Sequence, residues 1–260
     1  MIDKSIIFKI IGSLLFIEAL LLLACLFMAI GYQEDDVPAF IIAIILTALT
    51  GIVLRYLGRN ADNNMSRRDA YLVVTLSWII FSFFGTLPFI ISGYIPSFTD
   101  AYFETMSGFT TTGATIIDDI DKLPHGLLFW RSMTQWIGGL GIVFFTTAIL
   151  PSFVGGSVKV FAAEATGPVT TRLHPRLSTN AKWIWVVYLV LTISCILSYM
   201  ICGMGWFDSI NYAMGTTATG GFSTHTDSAE FFRSPAVEYI ATFFCFISGT
   251  NFTLLYMSAT

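Results

Sequence analysis

The sequence predicts an all-α membrane protein with six transmembrane helices and two re-entrant half-helices. Three observations lead there. The 260 residues are 55% hydrophobic and only 12% charged, with a mean hydropathy of +0.74, which is too apolar for an ordinary water-soluble domain. Six apolar runs reach the roughly 20 residues that a helix needs to cross the hydrocarbon core. Two further segments are too short and too polar to cross, and they resemble one another. The net charge of −4 leaves no basic excess, so nucleic acid is excluded as a partner.

The first run, Ile6 to Ile30, follows a basic start but is too long for a signal-peptide core and lacks a clear small-residue cleavage site, so it reads as a retained span. The others are Pro38 to Leu57, Tyr71 to Ile91, Leu127 to Leu150, Trp183 to Cys202 and Pro235 to Met257. Six spans place both ends on one side. Lys4, Lys9, Arg55, Arg59, Arg67, Arg68, Lys159, Arg172, Arg176 and Lys182 gather on that side, with Lys122, Arg131 and Arg233 opposite, so both ends are expected in the cytoplasm. The acids take the other face: Glu34, Asp35, Asp36, Asp100, Glu104, Asp118, Asp119, Asp121, Asp208, Asp227 and Glu230. They read either as a solvated rim or as a surface that concentrates cations.

The segments Ser97 to Asp119 and Met204 to Thr226 each hold about three amphipathic turns followed by threonine and glycine, the pattern of a half-helix that enters the membrane and turns back. Ser97 or Thr99 can cap the first, near Asp100 and Glu104, and Asp208 sits near the start of the second. Aligned on glycine, "TTTGAT" (Thr110 to Thr115) lies over "TATGGF" (Thr217 to Phe222), pairing Thr110 with Thr217, Thr112 with Thr219 and Gly113 with Gly220. Recurrence in one topological slot argues for a shared site. Irregular backbone at membrane depth must be satisfied by protein or by a wet cavity, and glycine frees carbonyls to replace the hydration shell of a cation. The loops offer only neutral oxygens, which suits a monovalent cation better than a divalent one.

The stretches "FETMSGFTTTGAT", "FWRSMTQWIGGLGI", "AILPSFVGGSVKVFAAEATGP" and "GTTATGGFSTH" resemble the Trk/Ktr/HKT superfamily of potassium transport proteins, most closely its bacterial TrkH-type membrane subunit. The resemblance implies repeats of span, pore helix and span around one pore: an extra helix pair at 1–60, a first repeat at 61–155 and a second at 156–260, with the family's third and fourth repeats absent. It implies potassium uptake across the bacterial inner membrane through a filter formed by Thr111, Thr112, Gly113, Thr217, Ala218, Thr219 and Gly220. Potassium would bind at Thr112, Gly113, Thr219 and Gly220, as transported ion and not as cofactor. Some relatives have serine at the first filter glycine and pass sodium, so Gly113 favours potassium. Homodimerisation or another chain would complete the ring; the basic inner loop Phe153 to Lys182 either simply follows the positive-inside bias or, as the resemblance implies, docks a cytoplasmic nucleotide-binding regulatory subunit. The alternative is a non-conducting fragment or assembly scaffold that needs a second polypeptide.

Other residues read more plainly. Gly138, Gly139 and Gly141 let helices approach closely. Arg131 snorkels or pairs with an acid. Glu18 and Glu238 lie in spans without the setting of a transport site. His125, His174 and His225 lack metal-ligand spacing, and no serine, cysteine or lysine has a base partner, so the chain is not expected to be an enzyme. Cys25, Cys195, Cys202 and Cys245 read as reduced thiols.

Overall fold

A computed structural model describes residues 3–61, 66–141 and 177–250, and every regular element among them is helical. α1 (Lys4–Tyr32) starts where the Asp3 carboxylate accepts from the backbone N–H groups of Ser5 and Ile6, at 2.9 and 3.4 Å. It turns at Gln33 into α2 (Val37–Leu57), which has a proline in its first turn. The two helices pack backbone to backbone. A Cβ at Gly12 would lie 2.7 Å from both Arg55 N and Gly51 O, and one at Gly58 would strike Lys9 N. Small residues permit this approach where lipid supplies no hydrophobic drive for helix association.

α3 (Arg67–Gly85) opens with a reciprocal cap: Asp69 N–H donates to Ser66 Oγ at 3.2 Å, and Ser66 N–H donates to Asp69 Oδ2 at 3.0 Å. It runs through Thr86 into α4 (Leu87–Ser92), and Pro88, which has no N–H to donate, interrupts the ladder at that joint. Among the described residues, four stretches are long and apolar enough to cross a bilayer: Lys4–Tyr32, Val37–Leu57, Arg68–Ser92 and Trp183–Ile201.

α5 (Phe98–Phe109) and α8 (Trp206–Thr217) have 12 residues each, about 18 Å of helix against a hydrocarbon core of about 30 Å. Between them come α6 (His125–Leu140) and α7 (Leu177–Ile201), and α9 (Pro235–Ser248) follows. The continuations expected to Leu150 and Met257 lie outside the described residues, as do Lys159, Arg172, His174 and Arg176 of the inner loop.

α6 is the central post. It packs against α1, α5 and α8, and Leu127, Trp130 and Ile137 are wholly buried. Trp130 Nε1 donates to Gly85 O at 2.8 Å, using the carbonyl freed where α3 ends. At its outer end Gly126 meets the carboxylate of Asp36, since a Cβ there would strike Oδ2. Asp36 is therefore buried rather than part of a solvated rim, and burial with the nearby Glu34 pushes its carboxyl up to about 6. Glu18 is also wholly buried, while Glu238 is exposed in the first turn of α9. All four thiols are free.

The α1–α2 contact gives a direct test. Gly12→Leu should cost about 1 to 3 kcal/mol through forced separation of the helices, read as a lower melting temperature in detergent. Gly31→Leu, where a Cβ meets nothing within 4 Å, should change it little.

Candidate functional site

The two half-helices end in the same backbone motif. After α5, Thr111 N–H donates to Gly108 O and Thr112 N–H to Ser107 O, both at 2.9 Å. After α8, Thr219 N–H donates to Thr216 O at 3.0 Å and Gly220 N–H to Gly215 O at 2.9 Å. These paired bonds close a helix through one left-handed residue, a place usually filled by glycine. Here it is threonine both times, Thr111 at φ 52° and Thr219 at φ 54°. A β-branched residue in that region is strained by about 1 to 3 kcal/mol, and such strain persists only where the surroundings impose it.

This geometry corrects the alignment of the two loops by one residue. Thr111 matches Thr219, Thr112 matches Gly220, and Gly113 (φ 74°) matches Gly221 (φ 86°), not Gly220. Thr217 falls in the last turn of α8, opposite Phe109. It is buried, and its hydroxyl lies 2.8 Å from Ala213 O and 3.2 Å from Thr192 Oγ1. Ala218 is the buried cap residue. Thr217 and Ala218 thus belong to the packing of α8, and the exposed turn begins at Thr219.

The loops touch. A Cβ on Gly113 would collide with Gly220 O, so only glycine admits this approach. Among the described residues, no hydrogen bond ends on the carbonyls of Thr111, Thr112 and Gly113, or of Thr219, Gly220 and Gly221. In the first loop the next carbonyl is engaged again, whereas in the second Phe222 O comes before the engaged Ser223 O. Ser107 Oγ donates to Ala114 O at 2.6 Å, and Arg131 donates to Ser223 O at 3.0 Å. The first loop thus presents three successive neutral oxygens, and the second at least three, between a helix end and a pinned return. The Thr110 and Thr112 hydroxyls lie 2.8 Å apart and help to fix the first turn.

α6 holds both loops from behind. A Cβ on Gly138 would strike Phe109 O, and one on Gly139 would lie 2.7 Å from Tyr188 Oη and 2.9 Å from Ala218 Cα. These two glycines serve close packing, whereas Gly141 ends α6 at φ 81°. Thr134 abuts Gly108, and Gln135 Oε1 accepts from Phe222 N–H at 3.0 Å. Behind α8, Tyr199 Oη lies 2.8 Å from Thr216 Oγ1 and Trp136 Nε1 donates to Thr192 Oγ1 at 3.1 Å. These polar contacts come from residues inside apolar runs, where hydropathy hides them.

A buried ion pair ties the loops together. Arg131 Nε donates to Glu104 Oε1 at 2.9 Å, with the two side chains 1% and 0% exposed. The Glu104 carboxylate also accepts from Thr115 Oγ1 at 2.9 and 3.0 Å and from Ile116 N–H at 3.1 Å. Arg131 reaches Ser223 O in the second loop and lies 4.2 Å from the centre of the Phe222 ring. Glu104 is thus a structural counter-ion and not part of the solvated outer face, while Arg131 pairs with an acid as its position suggested.

Outside the pair, His225 Nδ1 lies 2.7 Å from Asp121 Oδ1, Thr226 N–H donates to Asp121 Oδ2 at 3.1 Å, and Thr224 Oγ1 donates to Asp208 Oδ1 at 2.6 Å. His225 and Thr226 hold the Asp121 carboxyl down at about 2, so a negative charge persists there throughout the physiological range.

Breaking the buried pair should be costly. Arg131→Met or Glu104→Leu alone should destabilise by about 3 to 5 kcal/mol by stranding the other charge, and the double variant should lose less than the sum. Melting of the solubilised protein checks this, and strict additivity would contradict the pairing.

Comparison with known proteins fits this geometry. The TrkH cation transport protein profile matches residues 36–259. The Trk system potassium uptake protein TrkH of Halomonas elongata is 38% identical over 254 residues, covering 97% of this chain and 53% of that protein. Its Escherichia coli K12 namesake is 39% identical over 228 residues, covering 87% and 47%. The crystal structure of the potassium transporter TrkH from Vibrio parahaemolyticus has a TM-score of 0.82 at 36% identity, covering 98% of this chain and 52% of that one. The chain spans about half the length of the curated relatives it matches. It belongs to the TrkH cation transport family, whose members are multi-pass inner-membrane transporters and not enzymes.

Proposed function

We propose that this chain supplies one half of the wall of a potassium-selective permeation path and works in bacterial potassium uptake. The observation behind this reading is the twinned pair of loops: successive carbonyl oxygens that accept no hydrogen bond among the described residues, on two matching turns that meet at Gly113 and Gly220. Carbonyls of this kind replace water around a monovalent cation. The carboxyl ends of α5 and α8 lie beside the loops and add a negative field that favours a cation. The filter runs through Thr111, Thr112 and Gly113 and through Thr219, Gly220 and Gly221.

In this reading α6 and α9 complete spans four and six, α5 and α8 are pore helices, and both chain ends face the cytoplasm. Residues 1–60 form an extra helix pair, with repeats at 61–155 and 156–260. Two loops make one side of a ring, and further loops of the same kind, from a second copy, another polypeptide or more of the same one, make the other side. The curated relatives are named as parts of a Trk system, and a cytoplasmic nucleotide-binding regulator is the partner proposed for the basic inner loop.

The test is uptake by a potassium-uptake-deficient bacterium expressing the chain, with insertion checked by blot. Gly113→Ser should lower the potassium-to-sodium preference by about tenfold, equivalent to about 1.4 kcal/mol, because its Cβ drives the Gly220 carbonyl away. Gly221→Ser meets no atom within 4 Å but keeps an unfavourable φ, so its effect should be smaller. Unchanged preference in both variants would refute the filter.

A further inference from the structure

We propose that Gln135 is the specificity-determining strut between the two loops, a positioning residue that sets their separation and thereby the ion preference. The proposal rests on the filter reading above and extends it to a side chain that does not touch the path.

Gln135 is wholly buried on α6. Its carboxamide bonds the second loop directly, with Oε1 accepting from Phe222 N–H at 3.0 Å. This bond fixes which way the amide faces, because a backbone N–H needs the oxygen and not the NH2 group. Nε2 is therefore turned to the other side. The amide presses against Gly220 so closely that a Cβ there would strike Cδ and lie 2.7 Å from Nε2. The same Nε2 is 3.8 Å from where a Cβ of Gly113 would sit, and that position also abuts Gly220 O. One planar group thus backs the point where the two loops meet. A third contact comes from the pore helix, since Oε1 lies 3.3 Å from a Cβ built on Gly215.

The strut has a rigid base. On either side of Gln135, α6 is locked to both half-helices: Thr134 against Gly108, Gly138 against Phe109 and Gly139 against Ala218. A stiff side chain on such a base transmits a fixed distance to the loops, whereas a flexible apolar one would let them drift.

The second observation is Nε2 itself. It is buried, and it has no hydrogen-bond partner among the described residues. Buried donors are rarely left unpaired, and those that are call for an explanation. Here the explanation lies beside it, in loop carbonyls that receive no donor. As an unpaired donor at this junction, the NH2 group disfavours the closing of the Gly113 and Gly220 carbonyls that a small ion would need, and leaves them in place for a larger one. Selectivity by this route depends on the donor and on the width that it holds, not on added charge.

The experiment compares uptake of rubidium in competition with sodium, in the uptake-deficient bacterium, for the full chain and for Gln135→Leu, Gln135→Glu and Gly113→Ser. Gln135→Leu removes both contacts and should lower the potassium-like preference by about fivefold, the ratio that one lost hydrogen bond corresponds to, with total cation uptake preserved. Gln135→Glu keeps an acceptor for Phe222 N–H but lacks the NH2 donor, so it also should lose preference. It decides the question if the leucine variant fails to insert. A fall in total uptake with preference unchanged in both Gln135 variants, while Gly113→Ser shifts it, would leave the filter standing and overturn the strut. No preference in the full chain, or no shift in any variant, would overturn the filter reading and the strut with it.

Discussion

The structure depends on a buried arginine that would be intolerable alone. Arg131 sits on the central helix, next to two loops whose turn carbonyls accept no hydrogen bond among the described residues. An uncompensated guanidinium there would repel any cation and would cost several kcal/mol in desolvation. Glu104 removes both problems. It cancels the charge, and its remaining oxygen capacity goes to Thr115 and Ile116. Arg131 also reaches across to Ser223 of the other loop. Neutrality and loop coupling are produced by the same three groups.

Around this pair, α6 works as a ruler. Its glycines bring its backbone to within contact of both half-helices, its tryptophans bond to Gly85 and Thr192, and Gln135 reaches between the loops. The twinned turns show what the ruler imposes. Threonine takes a left-handed conformation at the same place in both loops, and nothing local to the sequence would favour that. The return strands are pinned by different means, Ser107 in one and Arg131 in the other, so the equivalence is of backbone shape rather than of side-chain contacts.

Much of this was legible in the sequence because long apolar runs and short polar repeats leave little choice. Among the described residues, four of the six expected spans meet the length and hydropathy of a crossing helix, and the 12-residue helices fall where amphipathic turns precede threonine and glycine. What failed was local. "TGG" offers two glycines, and matching letters chose Gly220, whereas the backbone puts its positive φ at Gly221. Thr217 looked like a filter residue but is spent on Thr192 and Ala213. Glu104 resembled other acids on an outer segment, because its partner lies 27 residues away on another helix. Gln135, Tyr199 and Thr192 gave no signal at all, since a polar residue in an apolar run looks alike whether it serves packing or a site.

Placement of the ion is the centre of the account. Thallium, a heavy monovalent stand-in for potassium, can be located by anomalous scattering in crystals of the membrane-extracted assembly. The account predicts density beside the carbonyls of Thr112 and Gly113 on one side and of Gly220 and Gly221 on the other. Thallium bound elsewhere in the chain, with none between these loops, would contradict it.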